Sequence, residues 1–207
     1  MPHIVVTISR QIGSGGAFIG QQVARRLGIR YLDREIVREA ARILKEDEVA
    51  LAGREERITG LLENFFLVMA IGTPETGYFP PPLRPLYDQD LFAVESEIIQ
   101  AVAARESAVI VGRGGFHILR GHPGLTNVFF HASEAFRLAR VMDIYNIADT
   151  GRAREAVEKS DRARRKFLEA MTGENWTDAL AYHLCLDTGT AGFSAAVEMV
   201  LRLAEKP

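Results

Sequence analysis

Residues 4–16 read IVVTISRQIGSGG, an apolar run that leads into a glycine-rich turn. Branched apolar residues in a short run are typical of a buried strand, and the closely spaced glycines predict a tight turn after it. Apolar residues recur at helical spacing downstream, so we expect a helix over residues 15–27. A strand, a glycine turn and a helix N-terminus direct several backbone N–H groups to one point, which suits a phosphate group.

The end of this turn differs from the usual phosphate-binding loop. That loop ends in Gly-Lys-Ser/Thr, where the lysine neutralises phosphate charge and the hydroxyl binds Mg²⁺. The corresponding positions here are Gly15, Gly16 and Ala17. Arg10 is the nearest cation, and its guanidinium could supply the missing charge; a structural or surface role for Arg10 is the alternative. The residues expected to hold the phosphate are Gly13, Ser14, Gly15, Gly16 and Ala17.

Composition limits the class of protein. A chain of 207 residues with 47% hydrophobic content is long enough for one domain with a substantial core. The formal net charge of −2 argues against a general nucleic-acid or membrane-surface role, so phosphate recognition must be local. The single cysteine, Cys185, excludes an intrachain disulfide, and its apolar neighbours predict a buried side chain.

The N-terminal segment has the pattern of a core strand and lacks the charged lead and long apolar region of a signal peptide. No segment reaches the roughly 20 apolar residues that are needed to cross a bilayer. We therefore expect a cytoplasmic protein with no membrane partner.

Strand and helix patterns alternate along the chain. This order predicts an α/β fold, a doubly wound five-stranded parallel sheet with helices on both faces. Asp33, Ser133 and Ser194 are each expected to cap the helix that follows them. The predicted strands cover residues 4–8, 29–32, 108–111, 127–130 and 182–186, and further helices are predicted over residues 91–105 and 152–171.

The segment between residues 34 and 90 carries two distinct patterns. Residues 55–70 have the apolar spacing of a helix, which could form a dimer contact, although core packing is commoner for such a stripe. Residues 72–90 contain five prolines and break the helical pattern. A loop of this length is typical of a lid, a partner surface or a disordered segment.

Ligands of doubly wound sheets bind outside the carboxyl ends of the strands. Three carboxylates at that edge, Asp33, Glu35 and Asp187, could orient a sugar hydroxyl, hold Mg²⁺ through water, or cap helices and turns. The five histidines have no metal-ligand spacing, so no metal-ligating residue is predicted. The polar residues expected at the edge are Arg10, Ser14, Asp33, Glu35, Arg113, His131 and Asp187.

Arginines form a second constellation. Arg137 and Arg140 are three residues apart on one predicted helix, and Arg164 lies in a basic group on the next. Phosphoryl transfer needs such charges, because it depends mainly on positioning and on neutralising the transferred group. The alternative is a solvated charged face. Arg113, between glycines at a strand end, could present its planar fork to a phosphate or a base, or could occupy a simple turn.

These motifs, in this order, make the chain resemble the cytidylate kinase-like family, a divergent branch of the P-loop nucleoside monophosphate kinases. The resemblance covers nearly the whole chain. It rests on residues 8–16, 31–35, 109–114, 161–164, 172–176 and 186–188.

The resemblance implies a single kinase-like domain over residues 1–207, with an acceptor-binding insertion near residues 34–105 and a lid near residues 142–165. The glycine loop would hold the phosphates of ATP. Asp33 and Arg113 match positions near the acceptor nucleotide, and Asp187 is a further candidate substrate-binding residue. The arginines that match positions near the transferred phosphate are Arg137, Arg140 and Arg164.

The leading hypothesis is ATP- and Mg²⁺-dependent phosphoryl transfer to a nucleoside monophosphate, nominally CMP, with Arg10 among the catalytic residues. The long loop at residues 72–90 motivates a kinase for another small acceptor. The loss of lysine and hydroxyl at Gly16 and Ala17 motivates a noncatalytic nucleotide or phosphate sensor. A purely structural module is the remaining alternative.

Overall fold

The computed structural model describes residues 3–33, residue 37 and residues 89–205. Several predictions fall outside these residues: most of the helix after Asp33, the helix at residues 55–70 with its possible dimer contact, Glu35, and the proline-rich loop up to residue 88.

The described strands form one five-stranded sheet in the order β2-β3-β1-β4-β5. Every pairing is parallel, and Ile8 of the central strand aligns with Val111 on one side and Val128 on the other. This confirms the predicted sheet. The strands are β1 (Val5–Arg10), β2 (Arg30–Asp33), β3 (Ala108–Val111), β4 (Leu125–His131) and β5 (Leu184–Asp187).

Helices follow the strands as the periodicity predicts. The described helices are α1 (Gly16–Leu27), α2 (Gln89–Arg105), α3 (Gly115–Ile118), α4 (Glu134–Ile144), α5 (Thr150–Thr172), α6 (Thr188–Ala191) and α7 (Phe193–Ala204), with a 3₁₀ turn at Ala179–Ala181. None of these described helices combines the length and apolar character needed to span a membrane.

Two apolar cores lie on opposite faces of the sheet. Val5 and Ile110 pack with α2 on one face, whereas Val6 and Ile8 pack with α1 and α7 on the other. Because successive residues of a strand point to opposite faces, a strand covered on both faces is mostly apolar along its length. This double burial is why short apolar runs in the sequence located the strands.

One capping prediction was wrong in detail. The last helix begins at Phe193 after Gly192, so Ser194 lies inside its first turn rather than at its cap. Asp187 caps the short helix α6 by accepting a hydrogen bond from the Thr190 amide at 3.0 Å. The prediction for Ser133 is confirmed, because its hydroxyl accepts from the Phe136 amide at 3.3 Å.

The expected burial of Cys185 was also wrong, because its side chain is exposed. It lies on β5, at one end of the strand order. Leu184 and Leu186 on the same strand pack against the core of α1 and α7. The alternation of a strand therefore turns Cys185 away from that core.

Candidate functional site

The glycine loop joins the carboxyl end of β1 to α1 and requires glycine at two positions. Gly13 and Gly15 have φ angles of 81° and 80°, in the left-handed region that side chains disfavour. A Cβ atom on Gly13 would lie 2.7 Å from the Arg137 carbonyl oxygen, and one on Gly15 would lie 2.5 Å from Cε1 of Phe193. The loop therefore owes its shape to glycine for both conformation and packing.

Most backbone amides at the tip of the loop form no hydrogen bond with the described residues. Gln11 N–H donates to the Phe130 carbonyl at 3.0 Å, and Ser14 N–H reaches the Gln11 carbonyl at 3.3 Å. The first N–H of α1 that bonds within the protein belongs to Ile19, which donates to Gly15 at 2.9 Å. Five backbone N–H groups of the loop and the start of α1 have no hydrogen-bond acceptor within the described part of the chain, those of Gly13, Gly15, Gly16, Ala17 and Phe18.

Ser14 closes the loop with its side chain. The residue is fully buried, and its hydroxyl donates to the Gln11 carbonyl at 2.8 Å. Thr188 holds the same residue from α6, because its hydroxyl lies 2.7 Å from the Ser14 carbonyl and 3.2 Å from the His131 carbonyl. The Thr188 contact was missed in the sequence, although residue 188 belongs to a segment that carried the family resemblance.

The Arg10 side chain runs across the loop toward β3. A Cβ atom on Gly16 would lie 2.7 Å from Arg10 Cβ and 2.8 Å from Arg10 Cγ. At the other end, a Cβ atom on Gly112 would overlap Nη1 of Arg10. The guanidinium therefore lies at the carboxyl end of β3, next to the loop.

Arg137 and Arg164 meet at one carboxylate. Asp161 on α5 lies 2.6 Å from Arg137 Nη1 and 3.4 Å from Arg164 Nη1, and it accepts a hydrogen bond from the Ile12 amide at 3.2 Å. Sequence analysis named residue 161 only within the 161–164 motif and missed this role. Nothing but its position within the 161–164 motif distinguished it from neighbouring acids.

Arg140 does not join this group. Its guanidinium lies 4.4 Å from the ring centroid of Phe193, which packs against Gly15 and contacts the rings of Phe18 and Phe136. Burial lowers the pKa of Arg140, and the nearby carboxylate of Asp143 partly opposes the shift. Arg140 and Phe193 thus form a cation–aromatic contact beside the loop.

Arg113 is held at the end of β3 in an uncommon conformation. Its φ angle is 53°, its guanidinium pairs with Glu95 on α2, and it lies 4.2 Å from the ring centroid of Phe167. Glu95 is fully buried, and its Oε1 has no hydrogen-bond partner among the described residues. Sequence analysis did not single out Glu95, because the sequence alone does not distinguish it from Glu97 two residues later.

The two described carboxylates that were predicted at the sheet edge occupy different environments. Asp33 is 3% exposed at the end of β2 and aligns with Val111 across the sheet. Asp187 caps α6, one of the alternatives left open for it. Within residues 3–33 and 89–205, no group of three or more histidine, cysteine, aspartate or glutamate side chains could hold a metal ion.

Other arginines form solvated ion pairs. Arg162 pairs with Glu158 and Arg154 pairs with Glu134, and all four side chains are more than half exposed. Exposed pairs of this kind contribute little to stability, about 0–1 kcal/mol. The charged-face interpretation therefore holds for these two arginines.

Solved structures with a similar fold include two that are named as kinases. An uncharacterized protein from Eubacterium ventriosum has 22% identity and a TM-score of 0.72, with 99% of this chain and 100% of that chain covered. Shikimate kinase from Bacteroides thetaiotaomicron has 14% identity and a TM-score of 0.51, with 98% and 99% covered. A gluconokinase from Sinorhizobium meliloti has 19% identity and a TM-score of 0.50, with 99% and 94% covered.

No curated protein sequence matches the chain significantly. The family comparison is decisive, because the profile of the cytidylate kinase-like family matches residues 5–190. That span includes all five strands, the glycine loop and the Asp161 cluster, and it supports a nucleotide-dependent, kinase-like protein. The chain belongs to the cytidylate kinase-like family.

Proposed function

We propose that this protein transfers a phosphoryl group from ATP, with Mg²⁺, to a small acceptor, nominally the nucleoside monophosphate CMP. The observation that carries the proposal is a group of loop amides with no hydrogen-bond acceptor among the described residues. These amides belong to Gly13, Gly15, Gly16, Ala17 and Phe18. Amides at the start of a helix bind phosphate through hydrogen bonds and through the helix dipole. Family membership supports the kinase-like chemistry.

The arginines around the loop fit a polyphosphate. Arg137 is 9% exposed, and its Nε atom is buried without a hydrogen-bond partner among the described residues. The Nε atom of Arg140 is in the same state. Buried donors without a partner are rare in native proteins. A bound phosphate group would give such donors an acceptor.

Magnesium would be held mainly by phosphate oxygens and water, since Mg²⁺ usually takes only one or two carboxylates from a protein. Asp33, at the end of β2, is the candidate carboxylate. When bound, Mg²⁺ neutralises charge on the phosphate oxygens.

In the proposed reaction an acceptor oxygen forms a bond to the γ-phosphorus as the bond to the β,γ-bridging oxygen breaks. ADP leaves with the electron pair, and any proton on the acceptor oxygen passes to solvent. The loop amides orient the donor, and Arg137 and Arg164 stabilise charge on the transferred group. Arg113, positioned by Glu95, would bind the acceptor.

A noncatalytic nucleotide sensor is the second candidate. Gly16 and Ala17 provide neither the lysine nor the hydroxyl of the usual loop. Amides alone could bind phosphates without efficient transfer.

A coupled assay of ADP formation, run with CMP, other nucleoside monophosphates and small hydroxyl acceptors, tests the proposal. Calorimetric titration with ATP measures nucleotide binding in parallel. Arg26→Ala is the matched control, because Arg26 pairs with Glu198 on the exposed surface. Turnover with an acceptor supports the kinase. Saturable ATP binding without turnover in any mixture favours the sensor, and no binding contradicts both.

A further inference from the structure

Two positions of the loop have exchanged residue types. The usual loop reads Gly-x-x-x-x-Gly-Lys-Ser/Thr. When Gly15 takes the place of its second glycine, the first glycine falls on Arg10 and the lysine falls on Gly16. The cation has therefore moved from the seventh position of the loop to the first, and a glycine has moved in the opposite direction.

The structure gives a steric reason for this exchange. Gly16 is the first residue of α1 and does not have a positive φ angle, so its backbone conformation does not require glycine. The requirement comes from the side chain at position 10, since a Cβ atom at position 16 would lie 2.7 Å from Arg10 Cβ, an atom that a glycine at position 10 would lack. Atoms of a folded protein cannot pack so closely without displacement. Arginine at position 10 and glycine at position 16 are thus one coupled choice.

Glycine also makes room for the tip of the Arg10 side chain. Gly112 follows β3 with a φ angle of 89°, and a side chain there would overlap Nη1 of Arg10. The missing side chains of Gly16, at the base of Arg10, and Gly112, at its tip, therefore leave a space that the Arg10 side chain fills; we call this space the Arg10 channel. The Arg10 channel leads from the glycine loop to the end of β3, where Arg113 follows directly.

The neighbouring cations have other positions in the site. Arg137 and Arg164 contact Asp161, and Arg140 lies on the ring of Phe193. Arg113 pairs with the buried Glu95. Arg10 is the arginine that belongs to the loop itself and whose side chain covers the start of α1.

We propose that Arg10 is the donor-phosphate cation of this protein, and that it takes over the part of the loop lysine through the exchange of residue types between positions 10 and 16. The inference rests on the proposed function. The guanidinium would bind two oxygens of the triphosphate at once, as its planar fork allows, and would neither give nor accept a proton. Its role is to stabilise charge that moves onto the bridging and terminal oxygens.

A double-mutant cycle tests the exchange. Arg10→Gly removes the cation, Gly16→Lys inserts a lysine against Arg10, and the double variant R10G/G16K restores the usual order. We expect R10G to lower kcat by about 100-fold to 1,000-fold, as the loss of one charge-stabilising donor does. G16K alone should lower the melting temperature. The double variant should recover both the melting temperature and at least about ten-fold of the lost kcat, so that the two effects are strongly non-additive.

Arg10→Gln and Arg10→Lys separate charge from packing. Both keep a long side chain in the Arg10 channel, so we expect both to fold. R10Q should bind the non-hydrolysable analogue AMP-PNP at least about ten-fold more weakly than the wild type, with binding of adenosine unchanged. R10K keeps the charge but lacks the planar fork, so its affinity for AMP-PNP should fall between those of the wild type and R10Q. The surface variant R26A is the control.

The failures are distinguishable. If the wild type binds no nucleoside triphosphate, the proposed function fails and the inference falls with it. If the wild type binds AMP-PNP and R10Q binds it equally well, the inference alone is wrong. Additive effects of R10G and G16K on both melting temperature and kcat would also overturn it.

Discussion

The carboxylate of Asp161 accepts a hydrogen bond from the Ile12 amide at 3.2 Å, across 149 positions of the chain. Arg137 contacts both residues, through Asp161 Oδ2 at 2.6 Å and the Ile12 carbonyl at 3.5 Å. This contact attaches α5 to the glycine loop. It also means that the lid expected near residues 142–165 meets the loop at Ile12, where Val141, Ala153 and Val157 pack.

Asp161→Asn tests this attachment. The amide oxygen can still accept from Ile12, but Arg137 and Arg164 lose their counter-charge. The side chains of Arg137 and Asp161 are only 11% and 15% exposed, so we expect a loss near the lower end of the 3–5 kcal/mol that is typical when one partner of a buried pair is removed, about 3 kcal/mol. Urea unfolding measures it. Glu158→Gln, in an exposed pair, should cost at most about 1 kcal/mol, and equal losses in the two variants would contradict the prediction.

Thr188→Val tests the support of the loop from α6. The substitution keeps the shape of the side chain but removes the hydroxyl that bonds the Ser14 carbonyl at 2.7 Å. Leaving that buried carbonyl without its donor should cost about 1–3 kcal/mol in the free energy of unfolding. ATP affinity should fall as well, because the loop is less well held. Thr190→Val is the control, since residue 190 is exposed and uses only its backbone amide in the cap; a similar loss there would argue against the specific role of Thr188.

Glu95→Gln tests the positioning of Arg113. The substitution keeps the size of the side chain but removes the charge that pairs with the guanidinium at the end of β3. If Arg113 binds the acceptor, initial-rate kinetics should show a higher KM for the acceptor, by about ten-fold, with the KM for ATP little changed. An equal rise in both KM values would mean that Glu95 supports the fold in general rather than the acceptor site.

The pH dependence of stability tests the contact of Glu174 with Arg120 and His117. Burial alone would raise the pKa of Glu174, but the hydrogen bond from Arg120 and the contact with His117 Nδ1 at 3.1 Å outweigh burial and lower it. A carboxyl whose folded pKa lies below its unfolded value stabilises the protein above the unfolded value, about 4.3, and loses this effect as the pH falls through the folded pKa. Melting temperatures of wild type and Glu174→Gln should therefore differ at pH 7 and converge in acid. A difference that persists unchanged to pH 3 would contradict this sign.

The strands and the loop were predictable for identifiable reasons. β3 was predicted at its observed bounds, because both faces of Ala108–Val111 are buried and its residues are all apolar. The end of α1 was predictable from Gly28, which adopts the left-handed conformation that closes a helix. Cys185 was not, because only the position of β5 at the edge of the sheet decides which of its alternating residues meets a helix.

By itself, the sequence determined the alternation of strands and helices, the glycine loop after β1 and membership of the cytidylate kinase-like family. These depend on neighbouring residues, through periodicity, capping and backbone freedom. Only the tertiary structure decided which groups meet: Arg10 with the glycines at 16 and 112, Glu95 with Arg113, and Asp161 with the Ile12 amide. The Asp161 contact joins residues 149 positions apart, and Arg10 reaches Gly112 directly after the neighbouring strand β3. The partners in such contacts are selected by sheet order and burial, which local sequence patterns do not encode.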